Sequence, residues 1–362
     1  MTTHVKPAQS ILVIGTGLIG TSIAMGLKAA GHIVYLSDVD AAAQETAVRK
    51  SAGLAWQADD KSISIDVVFV ATPPSAAAAV MSQAAKQHLA AIVSDVSSVK
   101  SSVFSSLADV DATQLARIVG GHPMAGREVA GARAAQSNLF VDRPWVITRN
   151  DHTTDNAVAV IKDLVTQLGA VPLERSAQDH DRAVALVSHA PQIVASVLAG
   201  QLQHALDSDV ALAGQGVRDT TRIASSDSAL WSQILLGNAK EVASQISQIS
   251  MRLDQVAKAL QTGSNVVVLQ ALTDGVAGRD RLPGKHGAAK TDSALVEVRL
   301  EDKPGELARL FAAAAAADVN LEDVRIDHSL GRMTGLVELT VSTAKAQALE
   351  SALELAEFVV VN

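Results

Sequence analysis

The chain has 362 residues, of which 48% are hydrophobic and 19% charged, and a formal net charge of −8. Such a length supports two or three domains with real cores, and an acidic balance without long basic runs gives no ground for nucleic-acid binding. The absence of cysteine excludes disulfide frameworks, thiolate catalysis and cysteine-ligated zinc, and no metal site is expected.

The polar start Met1–Gln9 carries no signal peptide, and no apolar run of the roughly 18–20 residues a membrane span needs stands out, so a cytoplasmic protein without a membrane partner is expected. Short apolar runs at Ser10–Ile14, Ile33–Ser37, Val67–Ala71, Ala91–Asp95 and Arg117–Gly120 read as buried parallel strands, with a further strand at Pro144–Thr148. They alternate with Ala-rich helical stretches. The spacing predicts an α/β domain over 1–150, a Rossmann-type doubly wound parallel sheet.

The first strand runs into Gly15-Thr16-Gly17-Leu18-Ile19-Gly20 and then a helix. In this G-x-G-x-x-G pattern Gly15 makes the tight turn, Gly17 admits a pyrophosphate to the backbone, and Gly20 lets the helix pack on the strand. The second strand ends at Asp38, 18 residues after Gly20, where a carboxylate accepts ribose hydroxyls and repels a 2′-phosphate. NAD is therefore expected rather than NADP. Thr72 and Pro73, closing another strand, and Ser97 complete the expected cofactor edge.

A helical pattern fills 151–287. Its clearest stripe runs through Leu235, Val242, Ile246, Ile249, Leu253, Val256 and Leu260. Read alone, it is either one face of a bundle or a dimer interface. Gly278–Gly287, rich in glycine and positive charge, reads as a linker or a ligand-reaching loop. Over 293–362 the order is β-α-β-β-α-β: strand Ala294–Leu300, helix Pro304–Ala317, strands Val319–Asp327 and Met333–Val341 joined at Ser329–Arg332, helix Ala344–Leu355 and strand Phe358–Val361. This is a ferredoxin-like split βαβ pattern.

Asp95-Val-Ser-Ser98-Val-Lys100, Gly120-Gly-His122-Pro-Met-Ala-Gly126, Ser188-His189-Ala-Pro191 and Arg218-Asp219-Thr-Thr-Arg222, continuing to Leu230-Trp231, occur in that order. The set resembles the prephenate/arogenate dehydrogenase family from Ser10 to about Leu260. The tail, with Leu300-Glu-Asp302-Lys-Pro304-Gly305, resembles an ACT-like amino-acid-binding regulatory domain. The resemblance implies an all-helical substrate and dimerisation domain, hence a homodimer or higher oligomer. It also implies oxidative decarboxylation of a dicarboxylate, prephenate or its amino analogue arogenate, with hydride transfer to NAD in tyrosine biosynthesis.

It assigns His122 the ring hydroxyl proton and Ser98 a shared hydrogen bond there, although Ser98 also reads as a helix N-cap and Lys100 as a solvated side chain. Arg222 would bind a substrate carboxylate through two parallel hydrogen bonds, with Asp219 orienting it; a surface ion pair is the plain alternative. Trp231 either walls the pocket or packs the core. His189 is a second candidate for substrate binding. The family pattern Ser-His-x-Pro-His here ends in Gln192, which can donate a hydrogen bond but carries no charge, so prephenate against arogenate stays open. Asp302, Pro304, Gly305, Glu306, Leu307 and Asn320 would line an effector site, tyrosine being the expected ligand.

Two rival readings stand beside this one. A β-hydroxyacid dehydrogenase would place a catalytic lysine in its helical domain, and Val184–Leu202 has none. A non-catalytic amino-acid sensor would have no need of His122, Ser98 and Arg222 together.

Overall fold

The computed structural model describes residues 7–57, 63–126, 129, 131–282, 292–328 and 334–361. Two compact units emerge, Met1–Asp254 and Gln255–Asn362. In the first, β1 (Ser10–Ile14), β2 (Ile33–Ser37), β3 (Leu54–Ala55), β4 (Val67–Val70), β5 (Ile92–Asp95), β6 (Ile118–Pro123), β7 (Pro144–Arg149) and β8 (Val171–Glu174) form one sheet in the order β3-β2-β1-β4-β5-β6-β7-β8. Central strands are buried on both faces, so their apolar runs are continuous. Alternate side chains feed two cores: Ile11, Val13 and Phe69 pack on one face, Leu12, Val68 and Val70 on the other.

Two features of the sheet depart from expectation. β7 runs antiparallel to β6; among the described residues the segment between them carries only the short turn Ala132–Ala134 and no crossover helix. β8 closes the sheet after the helix Asp155–Gln167, so the sheet extends past residue 150 to Glu174. As a short edge strand, Val-Pro-Leu-Glu, largely exposed and broken by a proline, it has no buried-strand signature.

The helix Ala177–Val184, the π-helical turn Ala185–His189 and the helix Ala190–Leu202 form a continuous 26-residue run. By length and composition it contains a window apolar enough to cross a membrane, contrary to the expectation from sequence. That window nevertheless holds two buried polar side chains with partners in the same unit: His189 beside Asn238, and Gln192 donating to the Ile223 carbonyl. The stripe is broken too. Leu235 lies on the helix Ser228–Gly237, and Asn238 separates it from the helix Ala239–Thr262. Val242 is buried, but Leu253 and Leu260 are 63% and 65% exposed.

In the second unit, β9 (Ser293–Glu301), β10 (Asp323–His328), β11 (Thr334–Ser342) and β12 (Val359–Val361) pair antiparallel in the order β10-β11-β9-β12. The helices Glu306–Ala316 and Ala346–Leu355 lie between strands in sequence and share one core with them: Val296, Val298, Leu310, Val337, Leu349 and Leu353. The Ser329–Arg332 connection and the second half of the glycine-rich stretch, from Pro283 onward, lie outside the described residues, while its start, Gly278–Asp280, ends the helix Asn265–Asp280 rather than a linker.

Candidate active site

Chain connections diverge between β1 and β4, and the turns after both strands meet there. In open α/β sheets this is where ligands bind. Gly15 has φ +98°, and a Cβ on it would strike the Ala71 carbonyl that closes β4, so only glycine fits. Gly17 is exposed with open space beside it, and the helix Leu18–Ala29 begins without a side-chain cap. Gly20 is buried against Gly15, while Leu18 and Ile19 are half-buried. Asp38 Oδ2 accepts bonds from Thr16 N at 2.5 Å and Thr16 Oγ1 at 2.8 Å, and Oδ1 accepts from Asp40 N at 2.9 Å. The acidic side chain thus sits on the glycine turn itself. Thr72 Oγ1 and Ser97 Oγ, after β4 and β5, are buried without a hydrogen-bond partner among the described residues. Pro73 occupies the N-cap position of the helix Pro74–Gln87, without a side-chain capping bond. An open backbone crevice, a carboxylate at the end of β2 and two unsatisfied hydroxyls suit a dinucleotide.

At the end of β6, His122 Nδ1 lies 2.8 Å from His180 Nε2, and His180 Nδ1 lies 2.8 Å from Asp181 Oδ1. Asp181 also accepts Lys100 N at 2.9 Å and Ser101 N at 2.8 Å. Burial alone would raise this carboxyl, but bonds from His180, Ser101 and Lys100 outweigh it and hold it below the usual carboxylate range. An ionised Asp181 only accepts, so His180 carries its proton on Nδ1. In the tautomer in which His180 Nε2 accepts, His122 donates from Nδ1 and its own Nε2 is left bare. Burial, then the neighbouring His180, Lys100 and His189, push His122 well below its ordinary value, which keeps it an unprotonated base.

His189, at the end of the π-helical turn, is buried. Its Nδ1 lies 3.2 Å from Asn238 Nδ2, which also donates to the Asp181 carbonyl at 2.8 Å. Burial and the nearby His180, against the opposing charge of Asp181, bring His189 down to about 4. Trp231 meets its ring edge-on at 6.1 Å and packs against a core cluster, as its core setting requires. Gln192 is buried, and its amide donates to the Ile223 carbonyl at 3.0 Å. It braces the turn Arg222–Ser225, on which Arg222 is exposed. Asp219 is exposed on the helix Gln215–Thr221 and accepts a bond from Gln215 at 2.8 Å.

Two readings are corrected. Ser98, half-buried, does not cap the helix Ser101–Ser105; Asp181, from a distant segment, takes the N–H groups of its first turn. Lys100 is not solvated but fully buried against Asp95. Sequence reading also missed His180 and Asp181. Their only signal was a His-Asp pair about two helical turns before Ser188-His189.

In the second unit, Asp302, Pro304, Gly305 and Leu307 line a cavity of about 290 Å³ together with Leu300 and Ile326. Glu306 pairs instead with Arg309 at 2.8 Å, and Asn320 donates to Glu322 at 2.9 Å.

A doubly wound nucleotide domain followed by helices that carry polar site residues defines a two-part dehydrogenase. Comparison with known proteins makes this specific. Residues 23–174 match the model of the prephenate dehydrogenase nucleotide-binding domain, and residues 176–272 that of the prephenate dehydrogenase dimerization domain. A probable prephenate dehydrogenase of Streptomyces niveus is 33% identical over 353 residues, covering 94% of this chain and 96% of that one. Among solved structures, the prephenate dehydrogenase of Aquifex aeolicus, in complex with hydroxyphenyl propionate and NAD+, is 26% identical with a TM-score of 0.69. It covers 75% of this chain and 98% of that one. A Synechocystis arogenate dehydrogenase is 28% identical with a TM-score of 0.63, covering 75% and 99%. The chain belongs to the prephenate dehydrogenase family and is an NAD-dependent oxidoreductase.

Proposed function

We propose that this chain oxidises prephenate to 4-hydroxyphenylpyruvate and CO2 in tyrosine biosynthesis, with NAD as acceptor. The reading rests most on the Asp181–His180–His122 chain, which ends in an unprotonated imidazole nitrogen at the carboxyl end of β6. Bound NAD supplies the hydride acceptor. The Gly15–Gly20 turn and the helix behind it hold the pyrophosphate, Asp38 the adenosine ribose, and Thr72, Pro73 and Ser97 line the nicotinamide side. His122 Nε2 takes the ring hydroxyl proton as C4 becomes carbonyl-like, and Ser98 shares that hydrogen bond. Arg222 binds a substrate carboxylate, while His189, Gln192, Asp219 and Trp231 shape the pocket around it. Loss of CO2 then leaves an aromatic ring.

The experiment is a rate comparison on prephenate and arogenate, each with NAD and NADP. Turnover of prephenate with NAD is expected to dominate; turnover of neither substrate overturns the reading. The Synechocystis relative makes arogenate the second candidate.

The functional parts are the nucleotide domain, a helical dimerisation domain and a C-terminal regulatory domain, in a cytoplasmic homodimer. Support for dimerisation comes from the match to a dimerization domain and from exposed Leu186, Val187, Leu236 and Leu253 on the helices. The C-terminal unit acts as an ACT-like sensor, with tyrosine in the cavity beside Asp302 and Gly305. Its β-α-β-β-α-β order and the position of that cavity support this reading.

A further inference from the structure

Two side chains that the proposed chemistry does not use hold the backbone of Gly121, the residue before His122. Asp95 and Lys100 are both 0% exposed and paired with each other. Removing two charges from water costs several kcal/mol per ion unless geometry and further hydrogen bonds compensate, so their placement calls for a reason beyond stability.

Backbone pairing between β5 and β6 ends at Ser94 and Val119. β5 ends one residue later, at Asp95, while β6 continues through Gly120, Gly121 and His122. The polar groups of Gly121 on the β5 side are taken up by side chains. Asp95 Oδ1 accepts Gly121 N at 3.0 Å, and Lys100 Nζ donates to the Gly121 carbonyl at 2.6 Å. Asp95 Oδ2 is held in turn by Lys100 Nζ and by Ser97 N at 3.0 Å. The glycine pair makes room for this. A Cβ on Gly121 would lie 2.6 Å from the Asp95 carbonyl, and one on Gly120 would lie 3.2 Å from Lys100 Cδ. The backbone N–H of Lys100 is itself fixed by Asp181, the residue that orients His180 and through it His122.

We propose that Asp95 and Lys100 form a buried side-chain rung that extends the β5–β6 ladder by one residue and sets the position of His122 for proton removal. Lys100 is thus a positioning residue. The inference rests on His122 being the base.

The test is a double-mutant cycle of Asp95→Asn and Lys100→Met in the full chain, with prephenate and NAD. Each single variant leaves a buried charge or polar group without its partner and is expected to lower Tm. The double variant removes both charges and is expected to regain most of the lost Tm. Its kcat should still stay about 10²-fold down, with both Michaelis constants within about twofold of wild type, because a misplacement of about 1 Å in a catalytic group carries that cost. If kcat in the double variant returns with Tm, the pair serves only the fold and the proposal is overturned. If the single variants fail to fold, the double variant alone decides. His122→Asn is assayed alongside: near-normal turnover there refutes the role of His122 itself, separately from that of the rung.

Discussion

Acid should destabilise this protein through His189, and the size of the effect follows from its surroundings. The ring is buried, with its Nδ1 near the Asn238 amide, and its pKa is brought down to about 4. In the unfolded chain histidine titrates near 6.5. The folded value is the lower one, so the unfolded state binds the proton first. The stabilisation is complete above about pH 6.5 and is lost as pH falls toward 4. A shift of that size amounts to roughly 3 kcal/mol in full, of which about 2 kcal/mol disappears between pH 7 and pH 5. The perturbation is His189→Gln, which keeps an acceptor for Asn238 and removes the titration. Urea denaturation of both proteins at pH 7 and pH 5, at one fixed protein concentration because a dimer is proposed, measures the difference. Contributions from His122 and Asp181 are common to both proteins and largely cancel. The variant should lose about 2 kcal/mol less than wild type over that interval. Equal losses, within about 0.5 kcal/mol, would refute the placement of His189 as a buried neutral ring.

His122→Asn should cut kcat by about 10²–10⁴ while leaving NAD binding intact. Because its surroundings hold His122 well below 6.5, wild-type activity should persist at pH 6 and fall only at lower pH, as imidazolium forms; an acid limb centred above 6.5 contradicts the site. Arg222→Ala should raise the Michaelis constant for prephenate about 30-fold or more, the equivalent of at least ~2 kcal/mol of charged hydrogen bonding, and an unchanged value removes Arg222 from substrate binding. Asp38→Ala should erode discrimination against NADP and loosen the glycine turn through the lost Thr16 bonds; a wild-type enzyme that already prefers NADP tenfold would sink this assignment. The 292–362 fragment, which has a core of its own, should bind tyrosine by calorimetry; a folded fragment that binds no amino acid ends the sensing role.

Much of the first unit was legible because its signals are local. A buried parallel strand is a continuous apolar run, and a glycine turn before a helix is a backbone requirement written in adjacent residues. β1, β2, β4 and β5 therefore lie close to where periodicity puts them, and Gly15 and Asp38 occupy the crevice where the connections diverge. His122, Ser98 and Arg222 became candidates through resemblance, since nothing in their spacing alone distinguishes a catalytic histidine from a loop histidine.

The sequence by itself determined the glycine turn, the run of apolar strands and the β-α-β-β-α-β order of the tail, since each depends on neighbours within a few residues. Tertiary structure alone decided the rest. It turned Lys100 from an apparent surface residue into a buried clamp, made Asp181 the cap of a helix about 80 residues earlier in the chain, and assigned Gln192 to the Arg222 turn. In each case the partner is far away in sequence. Whether a charge is buried, and which donor meets it, depends on which segments pack together, and no local pattern carries that information.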